Sequence, residues 1–309
     1  MKRQEARFHG ILCLDKPEGF TSFDAVAKLR GMTRQRRIGH GGTLDPFATG
    51  VLPVFFGRAT RLCDMAPVQE KRYTVALRLG VETDTQDLTG TVVNRCDAPV
   101  SRAALEQLLP RFTGDLLQLP PMYSAVQVGG RRLYDLARQG LEVERQPRPI
   151  RVEELNLLDY DPQARRAVLD VRCSKGTYVR TLCHDIGAAL GVGGAAEALR
   201  RTEALGFALA DCRSFDDVAA ALQAGDEGFS SLLLPIGTMF RNCPTLNLTE
   251  PQERMFCSGV KLDLARVDGL PEGDSGLLRV LGAQGGFLGV ARADRDAGEL
   301  VVVRNFCGS

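Results

Sequence analysis

The chain has 309 residues, of which 44% are hydrophobic and 25% charged, with a formal net charge of +1. That length supports a sizeable core in one large domain or two, and the balance is ordinary for a soluble globular protein. No run has the length and apolarity of a membrane span, Met1 to Arg7 lead into only a short apolar stretch, and the nine cysteines contain no Cys-x-x-Cys pair. A secretory signal, a disulfide framework and a zinc site are therefore not expected; a reducing cytoplasm is.

Ile11-Leu12-Cys13-Leu14 reads as a short buried strand, ended by the turn Asp15 to Gly19. Thr21 with Asp24 forms a capping-box pattern, and the helix after it would set Phe23, Val26 and Leu29 on one face. Tyr73, Val75, Leu77 and Leu79 alternate with Arg72, Thr74, Ala76 and Arg78, the period-two pattern of a strand. A helix is expected over Ser101 to Leu109, stopped by Pro110. Pro120-Pro121, Gly129-Gly130 and a short helix over Leu133 to Gln139 make up an excursion of the length that usually serves function. A second alternating strand (Ala167, Leu169, Val171, Cys173) runs into Ser174-Lys175-Gly176 and then a helix. That helix has Val179, Leu182, Cys183, Ile186 and Leu190 on its apolar stripe, leaving Arg180 and His184 on another face.

Ser214 with Asp217, and Thr249 with Gln252, repeat the capping pattern. From about residue 240 the pattern changes to short strands, Leu277 to Leu281, Phe287 to Ala291 and Leu300 to Val303, between Gly-rich turns. Strands and helices in mixed order without repeated βαβ units favour an α+β fold, residues 1–240 forming the main domain and 241–309 a small β-rich one.

The near-zero net charge conceals local imbalance. Residues 1–60 carry ten Lys/Arg against five Asp/Glu, and 131–151 carry six arginines against three acids, so local patches can attract a polyanion. Between Gly39 and Leu52 the chain presents Asp45 in a loop of glycines closed by Pro46. Glycine frees the backbone, while Pro46 fixes its own φ and restricts the residue before it. Asp45 is thus either a turn former or a carboxylate held at a fixed height as nucleophile or base. An ionised carboxylate in a pocket needs a counter-charge, for which Arg180 is a candidate. His40 reads as a loop histidine rather than a metal ligand. Tyr73 and Tyr178 read either as core rings or as platforms for a planar base. Lys16 and Lys175 read as phosphate contacts or exposed lysines. No nucleotide-binding loop is present, so no cofactor is expected.

In combination, these residues resemble the TruB family of stand-alone tRNA pseudouridine(55) synthases. The resemblance runs through Ile11 to Pro17, Gly39 to Leu52, Lys71-Arg72-Tyr73, Gly80 to Thr85 and Pro120 to Ala125. It continues through Arg148-Pro149-Ile150, Cys173 to Leu182 and Leu199 to Thr202, in the family's order. The resemblance implies a mixed-sheet α+β pseudouridine synthase domain followed by a small RNA-binding domain of the PUA type. It implies isomerisation of a uridine in the tRNA T-loop, with no cofactor or metal, no obligatory protein partner, no membrane, and a monomer.

Position by position, Asp45 matches the catalytic aspartate, Tyr73 the residue stacking on the base and Arg180 the partner of the carboxylate. His40, Tyr178 and Leu199 match substrate-contacting positions, and Lys16 is placed with them. Residues 121–150 are expected to form an arm over the RNA, with Arg131, Arg132, Arg145 and Arg148 near phosphates. Whether Asp45 forms a base adduct or acts on the ribose stays open. A non-catalytic RNA-binding module, a guide-RNA-dependent relative and, more distantly, a metal hydrolase built on His40 and Asp45 are the alternatives.

Overall fold

Alternating apolar residues build one large sheet from distant parts of the chain. The computed structural model describes residues 6–271, 273 and 276–307; residues 1–5, part of the N-terminus read for a signal, lie outside them. The strands are β1 (Gly10–Lys16), β2 (Ile38–His40), β3 (Thr49–Phe56) and β4 (Lys71–Leu79), then the small hairpin β5 (Val81–Thr83) and β6 (Val92–Arg95). Next come β7 (Gly114–Gln118), the hairpin β8 (Gln127–Val128) and β9 (Arg131–Arg132), and the long β10 (Arg148–Asp161). β11 (Arg166–Cys173), β12 (Gly194–Ala204) and β13 (Phe207–Ala208) complete this part. The main sheet has the order β1-β3-β12-β4-β11-β10-β7, with β2 added to β3 and β13 to β12.

Neighbours in the main sheet are antiparallel except β3 and β12, which meet in parallel at Thr49–Arg200 and Gly50–Arg201. The mixed-sheet α+β expectation therefore holds. Gly50 is required where these strands meet. Its φ is +101°, and a Cβ there would lie 2.2 Å from the Arg201 carbonyl oxygen.

The capping signals mark real helix starts. In α1 (Ser22–Thr33), Thr21 Oγ1 accepts the Asp24 N–H at 3.0 Å, and Asp24 accepts the Thr21 N–H at 3.1 Å. Phe23, expected on the apolar face, is instead 67% exposed. The buried stripe is Ser22, Ala25, Val26, Leu29 and Thr33, which turns residue 23 outward by roughly a hundred degrees from residue 22. α2 (Arg102–Leu108) is capped by Ser101, and Pro110 falls in the 3-10 turn Leu109–Phe112. α3 (Leu133–Ala137) follows β9, and α4 (Val179–Ala189) follows β11. α5 (Phe215–Gln223) has its Ser214–Asp217 box, α6 (Asp226–Ser231) follows, and Gln252 accepts the Thr249 N–H at 2.9 Å ahead of α7 (Glu250–Cys257).

The two faces of the first strands feed different cores. Leu12, Leu14, Leu52, Val54 and Phe56 join Tyr73, Val75, Leu77 and the α4 residues Leu182, Cys183 and Ile186. Ile11, Cys13, Val51 and Phe55 pack on the other face with Phe207, Phe240, Val290 and Phe306. This second core fastens the C-terminal sheet to the main one. The C-terminal sheet comprises β14 (Thr245–Asn247), β15 (Leu262–Asp263), β16 (Leu278–Leu281), β17 (Phe287–Asp294) and β18 (Glu299–Asn305), ordered β14-β16-β17-β18-β15. It has its own core around Leu246, Phe256, Leu278, Val280 and Leu300.

One cysteine expectation needs correction: Cys257 and Cys307 are disulfide-bonded, with Cα atoms 5.4 Å apart. Spacing along the chain could not reveal this pair, because the packing of α7 beside the end of β18 brings it together. No described helix is long and apolar enough to cross a membrane.

Candidate active site

The loop between β2 and β3 carries Asp45 and is held from several sides. Ser22, at the first turn of α1, accepts the Leu44 N–H at 2.8 Å and donates to the Leu44 carbonyl at 3.3 Å. Pro46 O accepts the Gly19 N–H at 2.9 Å. Asp45 thereby meets Arg180, which projects from the first turn of α4 and is buried rather than on a polar outer face. Arg180 Nη2 donates to Asp45 Oδ1 at 3.2 Å, and Nε lies 2.8 Å from Oδ2 as an ionic contact without hydrogen-bond alignment. A third of the Asp45 side chain (33%) remains open.

Arg180 serves more than Asp45. Its Nη1 donates to the Thr85 carbonyl at 2.8 Å and lies 3.4 Å from Asp87 Oδ2, while Nη2 donates to the Tyr123 carbonyl at 3.0 Å. One buried guanidinium thus joins the Asp45 loop, the β5–β6 turn and the root of the arm. Burial pushes the Asp45 carboxyl above the usual carboxylate range; Arg180 pulls it back and Asp87 adds to the rise.

Three residues of this arrangement, Asp87, Gln118 and Arg201, have no role assigned from the sequence. Asp87 is buried, and its Oδ1 accepts from Thr85 Oγ1 at 2.9 Å, the Thr89 N–H at 3.0 Å and Thr89 Oγ1. Its only advance signal was a Thr-x-Asp-x-Thr spacing, Thr85 to Thr89, which any tight turn shares. Gln118, on edge strand β7, replaces the missing side-chain cap of α4. It accepts the Tyr178 N–H at 2.8 Å and donates to the Tyr178 carbonyl at 3.1 Å.

The sheet supplies the floor. Tyr73 on β4 stands opposite Arg201 on β12 and Val171 on β11, and Leu199 stands opposite Val75, so Tyr73, Leu199 and Arg201 share a face. The Tyr73 ring is buried, which pushes its hydroxyl pKa up; the nearby Arg201 opposes the rise, and the Asp45 charge adds to it. Arg201 is wholly buried and donates to the carbonyls of Val51 (2.7 Å), Thr43 (3.2 Å) and Gly42 (3.3 Å). It therefore clamps the Asp45 loop from beneath. His40 ends β2, and burial holds its pKa below the ordinary histidine value, so the ring is mostly neutral at pH 7.

Two expectations about cations change. Lys16 is fully buried, and its ammonium donates to the carbonyls of Pro17 (2.9 Å), Phe20 (2.6 Å) and Pro46 (3.3 Å). It fastens the loop instead of standing exposed. In the arm, Arg131, Arg132 and Arg148 are exposed, whereas Arg145 is tied to the Pro120 carbonyl at 3.1 Å and Glu142 at 3.0 Å. Arg145 shapes the arm's return to the sheet. Lys175 is exposed, which fits either of its two readings. Among the described residues no group of three or more His, Cys, Asp or Glu is placed to hold a metal ion.

A carboxylate one-third open, ion-paired on one side and set near a buried ring and an aliphatic wall, can attack an electrophilic carbon of a planar ligand. Comparisons with known proteins agree with that chemistry. Residues 30–179 match the model of the TruB family pseudouridylate synthase N-terminal domain, and 180–241 match that of the tRNA pseudouridylate synthase B C-terminal domain. The chain is 42% identical over 290 residues to a tRNA pseudouridine synthase B of Dehalococcoides mccartyi, covering 93% of both proteins. It is 40% identical over 297 residues to that of Pseudomonas aeruginosa, covering 96% of this chain and 95% of the relative. Its fold matches a chain in the crystal structure of a Cbf5-Nop10-Gar1 complex, with a TM-score of 0.76 at 24% identity over 97% of this chain and 86% of that one. Family models that together reach from the Asp45 loop to the end of the main domain, and relatives alike over nearly their whole length, place this chain in the TruB family of pseudouridylate synthases.

Proposed function

We propose that this protein isomerises a uridine of the tRNA T-loop, position 55, to pseudouridine, with Asp45 as the reacting carboxylate. The observation that carries this reading is the Asp45–Arg180 pair, with Asp45 one-third open beside the buried Tyr73 face, in a chain of the TruB family. Every atom of uridine reappears in the product. The C1′–N1 bond breaks, the base turns, a C1′–C5 bond forms, the proton on C5 leaves and N1 takes up a proton, so the formula is unchanged. Asp45 begins this by attack on the ribose or the base, and Arg180 keeps its carboxylate ionised despite burial.

A base inside a folded T-loop must leave its stack before Asp45 can reach it, at a cost of a few kcal/mol. Tyr73 gives the extruded base a surface to stack on, with Leu199 as a wall and Tyr178 at the rim. The neutral ring of His40 suits contact with a flanking base, because stacking needs no charge. The exposed arginines Arg131, Arg132 and Arg148 make the segment 121–150 a positively charged arm over the RNA backbone. Residues 241–309 form a PUA-like domain that adds RNA contact, and the protein acts in the cytoplasm as a monomer without a partner protein.

The test is to incubate the purified protein alone with an unmodified tRNA transcript and map pseudouridine by position. Modification confined to the T-loop uridine is expected. Tight binding with no pseudouridine would favour a non-catalytic RNA module, and activity only with added protein partners would overturn the stand-alone reading.

A further inference from the structure

Besides Arg180, three cations lie against the Asp45 loop, and two of them are accounted for. Lys16 and Arg201 each donate to three backbone carbonyls. The third, Lys71, opens β4 and is half-buried. Its neighbour Arg72 is ion-paired to Asp170 at 2.7 Å and Glu154 at 3.5 Å. The Lys71 ammonium makes no hydrogen bond and no ion pair among the described residues.

Its position is defined by the loop. A Cβ built on Gly42 would lie 3.7 Å from both Lys71 Cε and Nζ, and 3.9 Å from Arg201 Nη1. At Gly42 the loop therefore brings no side chain to cover or neutralise Lys71. Arg201 faces it from β12, Cys173 from the end of β11, and Lys175 from the turn after β11. Apart from the neutral thiol these neighbours are cationic. Burial, then Arg201, depresses the Lys71 pKa to about 8.

A partly desolvated ammonium without an acceptor is costly, and an anion arriving from outside would relieve that cost. Lys71 and Tyr73 lie two residues apart on one face of β4, a separation of roughly 6.5–7 Å along a strand. A nucleotide whose base stacks on Tyr73 brings its own phosphate, or the adjoining one, to about that distance. We propose that Lys71 is a phosphate-binding residue, taking one phosphodiester of the RNA beside the nucleotide held over Tyr73. This rests on the RNA reading above and assigns Lys71 to positioning the substrate, apart from the bond-breaking step.

The experiment measures binding of unmodified tRNA transcript to the full-length Asp45→Asn protein, with Lys71→Gln and Lys71→Arg added to it. Lys71→Gln is expected to weaken binding about five- to tenfold and to reduce the slope of log affinity against log salt by about 0.7–0.9, one phosphate contact. Lys71→Arg is expected to restore both. Since the bound ammonium must be charged, affinity with lysine present should fall as pH rises from about 7 to 9, and Lys71→Arg should remove that part of the fall. An unchanged slope and affinity in Lys71→Gln, or the same pH dependence in Lys71→Arg as in the parent, would overturn the assignment while leaving the RNA reading intact. Failure of the Asp45→Asn parent to bind tRNA would overturn the RNA reading, and this inference with it.

Discussion

The loops on either side of Arg180 present the same functional group in opposite conditions. Asp87 sits in the β5–β6 turn, buried, with its oxygens occupied by two threonines and the arginine. Among the described residues the Asp45 side chain receives one hydrogen bond, from Arg180, and keeps a third of its surface open. A saturated carboxylate is a poor nucleophile because its lone pairs are engaged. An unsaturated one, ionised beside a guanidinium, is reactive. The difference teaches that reagent and scaffold are told apart here by the number of donors around each acid, since the charge is the same.

Substitutions can break that contrast in order of severity. Asp45→Asn should abolish pseudouridine formation while leaving tRNA binding and thermal stability close to wild type. Burial raises the folded-state pKa of Asp45, so the ionised side chain costs stability at neutral pH, and the amide removes that cost. Asp87→Asn should lower the single-turnover rate roughly ten- to a hundredfold and cost about 2–3 kcal/mol of stability, because it leaves a buried guanidinium short of charge. Chemical denaturation alongside rate measurement checks both effects.

The same variant sharpens the electrostatic account. Asp87 contributes to the raised pKa of Asp45, so in Asp87→Asn the acid limb of kcat/KM should move to lower pH. An acid limb that stays put or moves upward would show that the two acids are not coupled through Arg180. On the arm, Arg131→Glu with Arg132→Glu should weaken tRNA binding and lower its salt slope by about two, without altering the rate from bound substrate. Smallest of all, Ser22→Ala removes the hydroxyl that holds Leu44 at both its N–H and its carbonyl. It should cost about 1 kcal/mol and slow turnover a few-fold, acting on the Asp45 side alone.

Much of this was legible in the sequence, for identifiable reasons. Strands such as β4 and β11 announce themselves because each must bury one face, and the Thr21 and Ser214 caps because a helix start needs an acceptor at a fixed offset. The Asp45 loop was visible through its glycines and Pro46, and family resemblance tied it to Arg180 and Tyr73. The roles of Asp87, Gln118 and Arg201 were not visible, because each meets its functional partner (Arg180, Tyr178 and the Asp45 loop) far along the chain. Gln118 pins Tyr178 from an edge strand sixty residues away, and no local pattern records that. Lys16 misled for the same reason: beside a Pro-Gly turn a lysine reads as a phosphate contact or an exposed residue, whereas three carbonyls converge on it. Phe23 failed because Ser22, bonded to Leu44, draws the adjacent edge of α1 inward.

The central claim is that Asp45 reacts and Asp87 supports. Single-turnover rates of Asp45→Asn and Asp87→Asn on one unmodified tRNA transcript, with both variants saturating, test it directly. The expected result is no detectable product from Asp45→Asn and slow, T-loop-specific product from Asp87→Asn. Product from Asp45→Asn at a rate equal to or above that of Asp87→Asn would contradict the account.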